Sequence, residues 1–145
     1  MDRRRWMRVL AGAGVSELAD GWAHREPAPD VEWLRGPEAG LVMVRGRIGG
    51  TGDRFNLGEA TVTRATVRLT GSDIVGTSYV LGSDLDRARY GALFDALLQD
   101  PDHHDEIRVE LIEPLEAAQH ARDAATRQEA RETVVDFFTV AREHE

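Results

Sequence analysis

The first hydrophobic positions, Trp6, Val9, Leu10 and Ala13, recur at i, i+3, i+4 and i+7, the repeat that lines one face of a helix. A helix is expected over about 2–11 and a second over about 16–24, with Ser16 as its cap. Pro27 and Pro29 end that stretch, since neither has a backbone N–H to continue a helix. From 31 to 81 the preference changes to strand: 31–35, then 41–48, then 59–69, then 74–81. Gly36-Pro37-Glu38-Ala39-Gly40 reads as a turn between the first two, and Gly71-Ser72-Asp73 as a turn between the last two. Within 41–48, Val42, Val44 and Ile48 alternate with Arg45 and Arg47; within 59–69, Val62, Arg64, Thr66 and Arg68 oppose Thr63, Ala65, Val67 and Leu69.

After Leu81 the helical period returns. Ser83 and Asp86 have the spacing of a capping box, and Tyr90, Leu93, Phe94 and Leu97 form a stripe suited to packing on the sheet. Asp100-Pro101-Asp102 ends this helix, and another is expected from about 105 to 132, bent near Pro114. Its later part carries an alanine stripe with few large anchors, which buries little area in its own core. Val134-Val135-Asp136-Phe137-Phe138-Thr139-Val140 is β-prone and aromatic, and is expected to join the sheet or a neighbouring chain. The pattern predicts an α+β fold in one domain spanning 1–145: an antiparallel sheet of about four strands packed with N-terminal and C-terminal helices.

The chain has 145 residues and no cysteine, which excludes disulfides and thiolate metal sites and suits a reducing compartment. No apolar run reaches the ~18 residues of a membrane span. The arginines at 3–5 and 8 are followed too soon by polar Ser16-Glu17 to head a secretory or twin-arginine leader, so a cytoplasmic location is expected. All 18 basic residues are arginine, and the net charge is −8. Five arginines (45, 47, 54, 64, 68) face two acids within 41–69, whereas 100–145 holds 13 acids. That distribution argues against general nucleic-acid binding and leaves room for a compact anion or a complementary subunit at the centre.

Arg45-Gly46-Arg47-Ile48-Gly49-Gly50-Thr51-Gly52-Asp53-Arg54 is the most distinctive stretch. Clustered glycines let backbone N–H groups converge on an anion, and nearby arginines could complete a phosphate pocket. It matches neither a Walker loop nor a dinucleotide fingerprint, and the simpler reading is a glycine-rich hairpin turn. If Arg45 and Arg47 shared a face with Arg64 and Arg68, four guanidiniums would converge and require Asp/Glu partners or a bound anion; the simpler reading is an ordinary solvated face paired with Glu59 and others. His103 and His104 are adjacent, so on a helix they diverge by about 100° and do not suit one metal ion. No catalytic triad, nucleophile elbow or carboxylate pair can be extracted, and neither catalytic nor metal-ligating residues are assigned.

The run from Gly40 to Leu69, with Gly49-Gly50-Thr51-Gly52 followed by Ala60-Thr61-Val62-Thr63-Arg64-Ala65, resembles the G-subunit family (PhnG) of the bacterial carbon–phosphorus lyase system. Arg5-Trp6-Met7-Arg8-Val9-Leu10-Ala11, Ala92-Leu93-Phe94-Asp95-Ala96-Leu97-Leu98 and Val135-Asp136-Phe137-Phe138-Thr139-Val140 match its other blocks in order. The resemblance implies a subunit assembled with H, I and J subunits and linked functionally to an ATPase-like L subunit. It implies support for making ribose 1-phosphonate 5-triphosphate from ATP and a phosphonate, with release of adenine. ATP would be a substrate of the complex, and the iron–sulfur cluster and S-adenosylmethionine would belong to another subunit. In that reading the chain is inactive alone. Gly49, Gly50, Thr51 and Gly52 would shape a contact loop, with Arg45, Arg47, Arg54 and Arg64 as polar anchors or contacts to a bound anion. A stand-alone module binding phosphate or phosphonate on the glycine loop is the alternative.

Overall fold

Helix α1 (Arg3–Gly12) begins where Asp2 accepts a hydrogen bond from the Arg5 N–H at 2.9 Å, satisfying one of the donors that a helix start leaves open. It buries Trp6, Val9 and Leu10 as the repeat predicts. Helix α2 (Val15–Ala23) starts one residue before the expected Ser16 cap: Gly14 is the cap, and its N–H donates to the Glu17 carboxylate at 2.8 Å. The computed structural model describes residues 1–50 and 52–143.

Three strands follow, where about four were expected. They are β1 (Val31–Arg47), β2 (Arg54–Leu69) and β3 (Val75–Leu81), antiparallel in the order β1-β2-β3. The expected strands 31–35 and 41–48 are one strand, because the Gly36–Gly40 segment does not turn. Register shifts between Trp33 and Arg35 and between Arg35 and Glu38 absorb the extra residues as bulges. Pro37 is tolerated because β1 is an edge strand, whose outer side needs no ladder donor.

The buried face of the sheet is carried by Thr63, Ala65, Val67 and Leu69 of β2 with Ser78 and Val80 of β3. Helix α3 (Leu85–Gln99) lies against it. Its cap is Asp84, which accepts from the Arg87 N–H at 3.0 Å, and Ser83 stands outside the helix. α3 is buried on more than one side, with sheet beneath and helices above, so its buried set runs beyond the expected stripe to Ala88, Gly91, Ala92, Asp95, Ala96 and Leu98. Close approach explains the small residues. A Cβ on Gly76 would sit 2.1 Å from the Ala92 carbonyl oxygen, and one on Gly91 2.5 Å from Ser78 Oγ.

Asp100 closes α3 and caps α4 (Pro101–Ile107), placing Pro101 in the first turn, where a missing N–H costs nothing. The bend expected near Pro114 is a single π-helical turn, Arg108–Ile112, immediately before α5 (Glu113–Glu143). There the Glu113 N–H reaches back to the Arg108 carbonyl, which resets the ladder before a residue that cannot donate. α5 touches the domain through Leu115 and Gln119, whose side-chain amide donates to the Val9 carbonyl at 2.8 Å, and is exposed from 120 to 133. The run 134–140, expected to join the sheet or a neighbouring chain, is not a strand of this sheet: its backbone continues α5. Propagating an existing helix adds a hydrogen bond per residue without new nucleation, and this overrides the local β-preference. Its side chains lie outside the description. Among the described residues no helix is long and apolar enough to cross a membrane.

Candidate functional site

β2 is 16 residues long, but β3 pairs only with Val62–Arg68. The remaining parts of β1 and β2, residues 41–47 and 54–61, have only each other as ladder partners and project past the sheet by roughly 25 Å at the usual rise per residue. The distinctive glycine–arginine stretch is the tip of this arm. Ile48–Gly50 forms a single 3-10 turn in which Gly49 and Gly50 have φ of 62° and 75°, a region that side-chain-bearing residues seldom adopt. These glycines serve the reversal of the chain, as the hairpin reading has it. Thr51, expected to belong to the same loop, lies outside the described residues.

Arg47 pairs across the ribbon with Arg54, and Arg45 with Asn56, so Arg45, Arg47 and Arg54 share the face that continues the buried side of the sheet. Among the described residues none of the three has an ion-pair partner. Arg64 and Arg68 are on the opposite face and toward the other end of the hairpin, so four guanidiniums do not converge. Arg64 donates to Glu38 at 2.9 Å, and Arg68 lies 3.6 Å from Glu32. The Glu38 carboxylate, followed by Tyr79, holds the Arg64 guanidinium above its ordinary pKa. These two have acidic partners within the chain, without the convergence that was expected to require them.

The arm also displays large apolar side chains that the sequence reading left unremarked. Leu41 is 67 % exposed, Leu57 62 % and Met43 53 %, and Val42, Val44 and Phe55 are exposed as well. The register puts Val42 and Val44 on the face opposite Arg45 and Arg47, as the alternation predicts, whereas Leu41 and Met43 share the arginines' face. Phe55 and Leu57 lie over Gly46, where an added Cβ would meet Leu57 at 2.9 Å. That crowding follows from the register shift at Val44/Arg45, which makes Leu57 the extra residue of a bulge.

A second polar cluster, also missed, lies inside the domain. Asp95 is fully buried on α3. Its carboxylate accepts from Arg3 at 3.1 and 2.7 Å, from Trp6 Nε1 at 2.9 Å and from the Thr77 N–H at 2.8 Å. The group therefore ties α1, α3 and β3 to one point, and hydrogen bonding to Asp95 raises the Arg3 pKa. The available signal was a single acid inside the apolar run Leu93-Phe94-Asp95-Ala96-Leu97. His104 turns inward, with Nδ1 2.7 Å from the Leu98 carbonyl and its ring edge-on to Trp6, while His103 faces Asp100. Among the described residues no three His, Asp or Glu side chains gather as metal ligands would.

The class these features define is an α+β domain with a polar clamp in its core and a cationic, apolar two-stranded arm outside it. The family model described as "Phosphonate metabolism protein PhnG" matches residues 1–143. An "Alpha-D-ribose 1-methylphosphonate 5-triphosphate synthase subunit PhnG" from Rhizobium meliloti (strain 1021) is 50 % identical over 140 residues, covering 97 % of this chain and 88 % of the relative. The chain belongs to the PhnG family of phosphonate metabolism proteins.

Proposed function

We propose that the chain is a subunit of an alpha-D-ribose 1-methylphosphonate 5-triphosphate synthase. One observation carries the reading: half of its residues are identical, across nearly its whole length, to those of a subunit of that enzyme. In this reading it joins H, I and J subunits, works with an L subunit, and supports the transfer in which a phosphonate displaces adenine from ATP in the cytoplasm. ATP is then a substrate of the whole complex, and the iron–sulfur cluster and S-adenosylmethionine belong to a later step on another subunit. The contribution of this chain is a docking surface that shapes the assembly and not a set of reacting groups. The glycine turn at 49–50 and the neighbouring Gly52 set the tip of the arm. Arg45, Arg47 and Arg54 are its anchors, and Arg64, already held by Glu38, is left to stiffen the hairpin.

The test is adenine release from ATP in the presence of methylphosphonate. The purified chain alone is expected to release none, the co-expressed subunits are expected to turn over, and omission of this chain should lower the rate by at least about tenfold. Adenine release by the chain alone, or full turnover without it, would overturn the reading.

A further inference from the structure

Resting on the subunit reading above, we infer that the projecting half of the hairpin is an insertion arm. Its occupant partner is another protein subunit with an apolar groove that ends in carboxylates.

Three observations converge on that chemistry. First, the arm displays apolar side chains on both faces: Val42, Val44, Phe55 and Leu57 on one, Leu41 and Met43 on the other. A flat docking surface would cover only one of these, so the complementary shape is a groove or the gap between two layers. Second, both edges of the ribbon are open among the described residues. β1 has no strand beside it on its outer side, and β2 loses β3 beyond Val62. Rows of unpaired backbone N–H and C=O groups invite strand pairing with the receiving chain. A two-stranded ribbon standing alone in water is at best marginally stable, and Leu41, Val42, Met43 and Val44 along this one are all exposed. Third, the charge is segregated. Arg45, Arg47 and Arg54 cluster at the tip without an ion-pair partner among the described residues, whereas Arg64 and Arg68 nearer the domain are matched by Glu38 and Glu32. Matched cations at the base and unmatched ones at the tip place the complementary carboxylates of the partner at the deep end of its groove.

A β-ribbon bearing arginines can also enter a nucleic-acid groove. Large exposed side chains on both faces of the arm have no counterpart on a phosphate backbone, and the net charge of −8 opposes that approach.

The experiment compares assembly of the full-length chain with the other synthase subunits, by co-purification and titration. One variant has residues 43–59 replaced by Asn-Gly, joining the register partners Val42 and Ala60. A second reverses the tip charges (R45E/R47E/R54E), and a third places a charge on the apolar surface (Met43→Glu). Among the described residues none of the substituted positions belongs to the core, so the isolated variants are expected to keep the helical circular dichroism and melting profile of the wild type. The shortened chain should lose at least about 100-fold in affinity and each of the other two at least about tenfold. Assembly of the folded shortened chain at wild-type affinity would sink the arm while leaving the subunit reading intact. Failure of the wild-type chain to assemble would remove both. Charge reversal that spares assembly but abolishes turnover would reassign the tip from carboxylates to bound substrate. Retention of the wild type on duplex DNA at physiological salt, lost on charge reversal, would replace the protein partner with nucleic acid.

Discussion

The indole N–H of Trp6 donates to the carboxylate of Asp95 at 2.9 Å, 89 positions along the chain, and both residues are buried. This bond joins the first helix to the central one, and Asp95 extends it to β3 through Thr77. Asp95→Ala leaves the Trp6 and Thr77 donors buried without an acceptor and strips Arg3 of its partner. A loss of about 3–5 kcal/mol is expected in urea denaturation. Asn accepts on only one oxygen and brings two donors into a site already full of them, so it should recover little. Arg3→Ala should cost less, about 1–2 kcal/mol, since the Arg3 side chain is 43 % exposed and the Trp6 and Thr77 donors still hold the buried carboxylate. Similar losses for Asp95→Ala and Arg3→Ala would disprove this ranking.

Gly76 separates backbone crowding from glycine content in general. Alanine there drives a Cβ into the Ala92 carbonyl and the Ala96 backbone, and about 3 kcal/mol or more of destabilisation is expected. Gly36 and Gly40 meet nothing within 4 Å and have no positive φ. Alanine at either should leave stability unchanged or raise it by about 0.5 kcal/mol. Denaturant midpoints of the three variants check the contrast.

Glu116 on α5 is held below the ordinary carboxylate range by hydrogen bonds from Arg5 at 2.9 and 2.6 Å, and the Arg5 pKa rises through the same bonds. With the folded-state pKa of Glu116 lowered, the unfolded chain binds more protons as the solution acidifies. The contribution of the pair is therefore complete at neutral pH and fades as pH falls from the ordinary glutamate range through the depressed value. The melting-temperature difference between wild type and Glu116→Gln should be small, greatest near neutrality and absent in acid. A difference that widens below pH 4 would reverse the sign.

At the tip, Gly49→Ala and Gly50→Ala force a side chain into left-handed backbone, at a cost of about 1–2 kcal/mol each. The arm lies outside the core, so the melting temperature of the isolated domain should hardly move. Amide exchange within 41–47 and 54–61 should accelerate, and affinity for the other subunits should fall. Asn at either position, which tolerates this conformation better, should restore both.

Arg54 and Arg64 provide the last contrast. Arg64 has Glu38 and Tyr79 within its own chain, so Arg64→Ala should leave assembly nearly unchanged. Arg54→Ala should weaken it. Equal effects in a binding titration would erase the distinction between base and tip.

The elements that follow from a local repeat were legible in advance. The Trp6/Val9/Leu10 face of α1 and the two-sided alternation in β2 are set by side chains a few positions apart, and both are found where the pattern puts them. Helix caps moved, by two residues from Ser16 to Gly14 and by one from Ser83 to Asp84, because the neighbouring carboxylates of Glu17 and Asp84 take the open N–H groups. The Gly36–Gly40 segment misled because a turn and a bulged edge strand draw on the same residues, and only pairing with β2 distinguishes them. The 134–140 run does not join the sheet because its local β-preference is outweighed by the helix already running into it. The arginines were visible as a group, but whether they meet depends on register, which splits Arg45 and Arg47 from Arg64 and Arg68.

From the sequence alone came the α+β class, the alternation of the strands, the glycine-bearing tip and the family resemblance, since periodicity and motif are properties of neighbouring residues. Tertiary structure alone decided that β3 stops short of the end of β2, leaving an apolar arm in the open, and that Asp95 is the point to which α1, α3 and β3 are tied. Those facts depend on which distant segments come to lie together. A side chain buried 89 positions from its hydrogen-bond donor leaves no periodic trace along the chain.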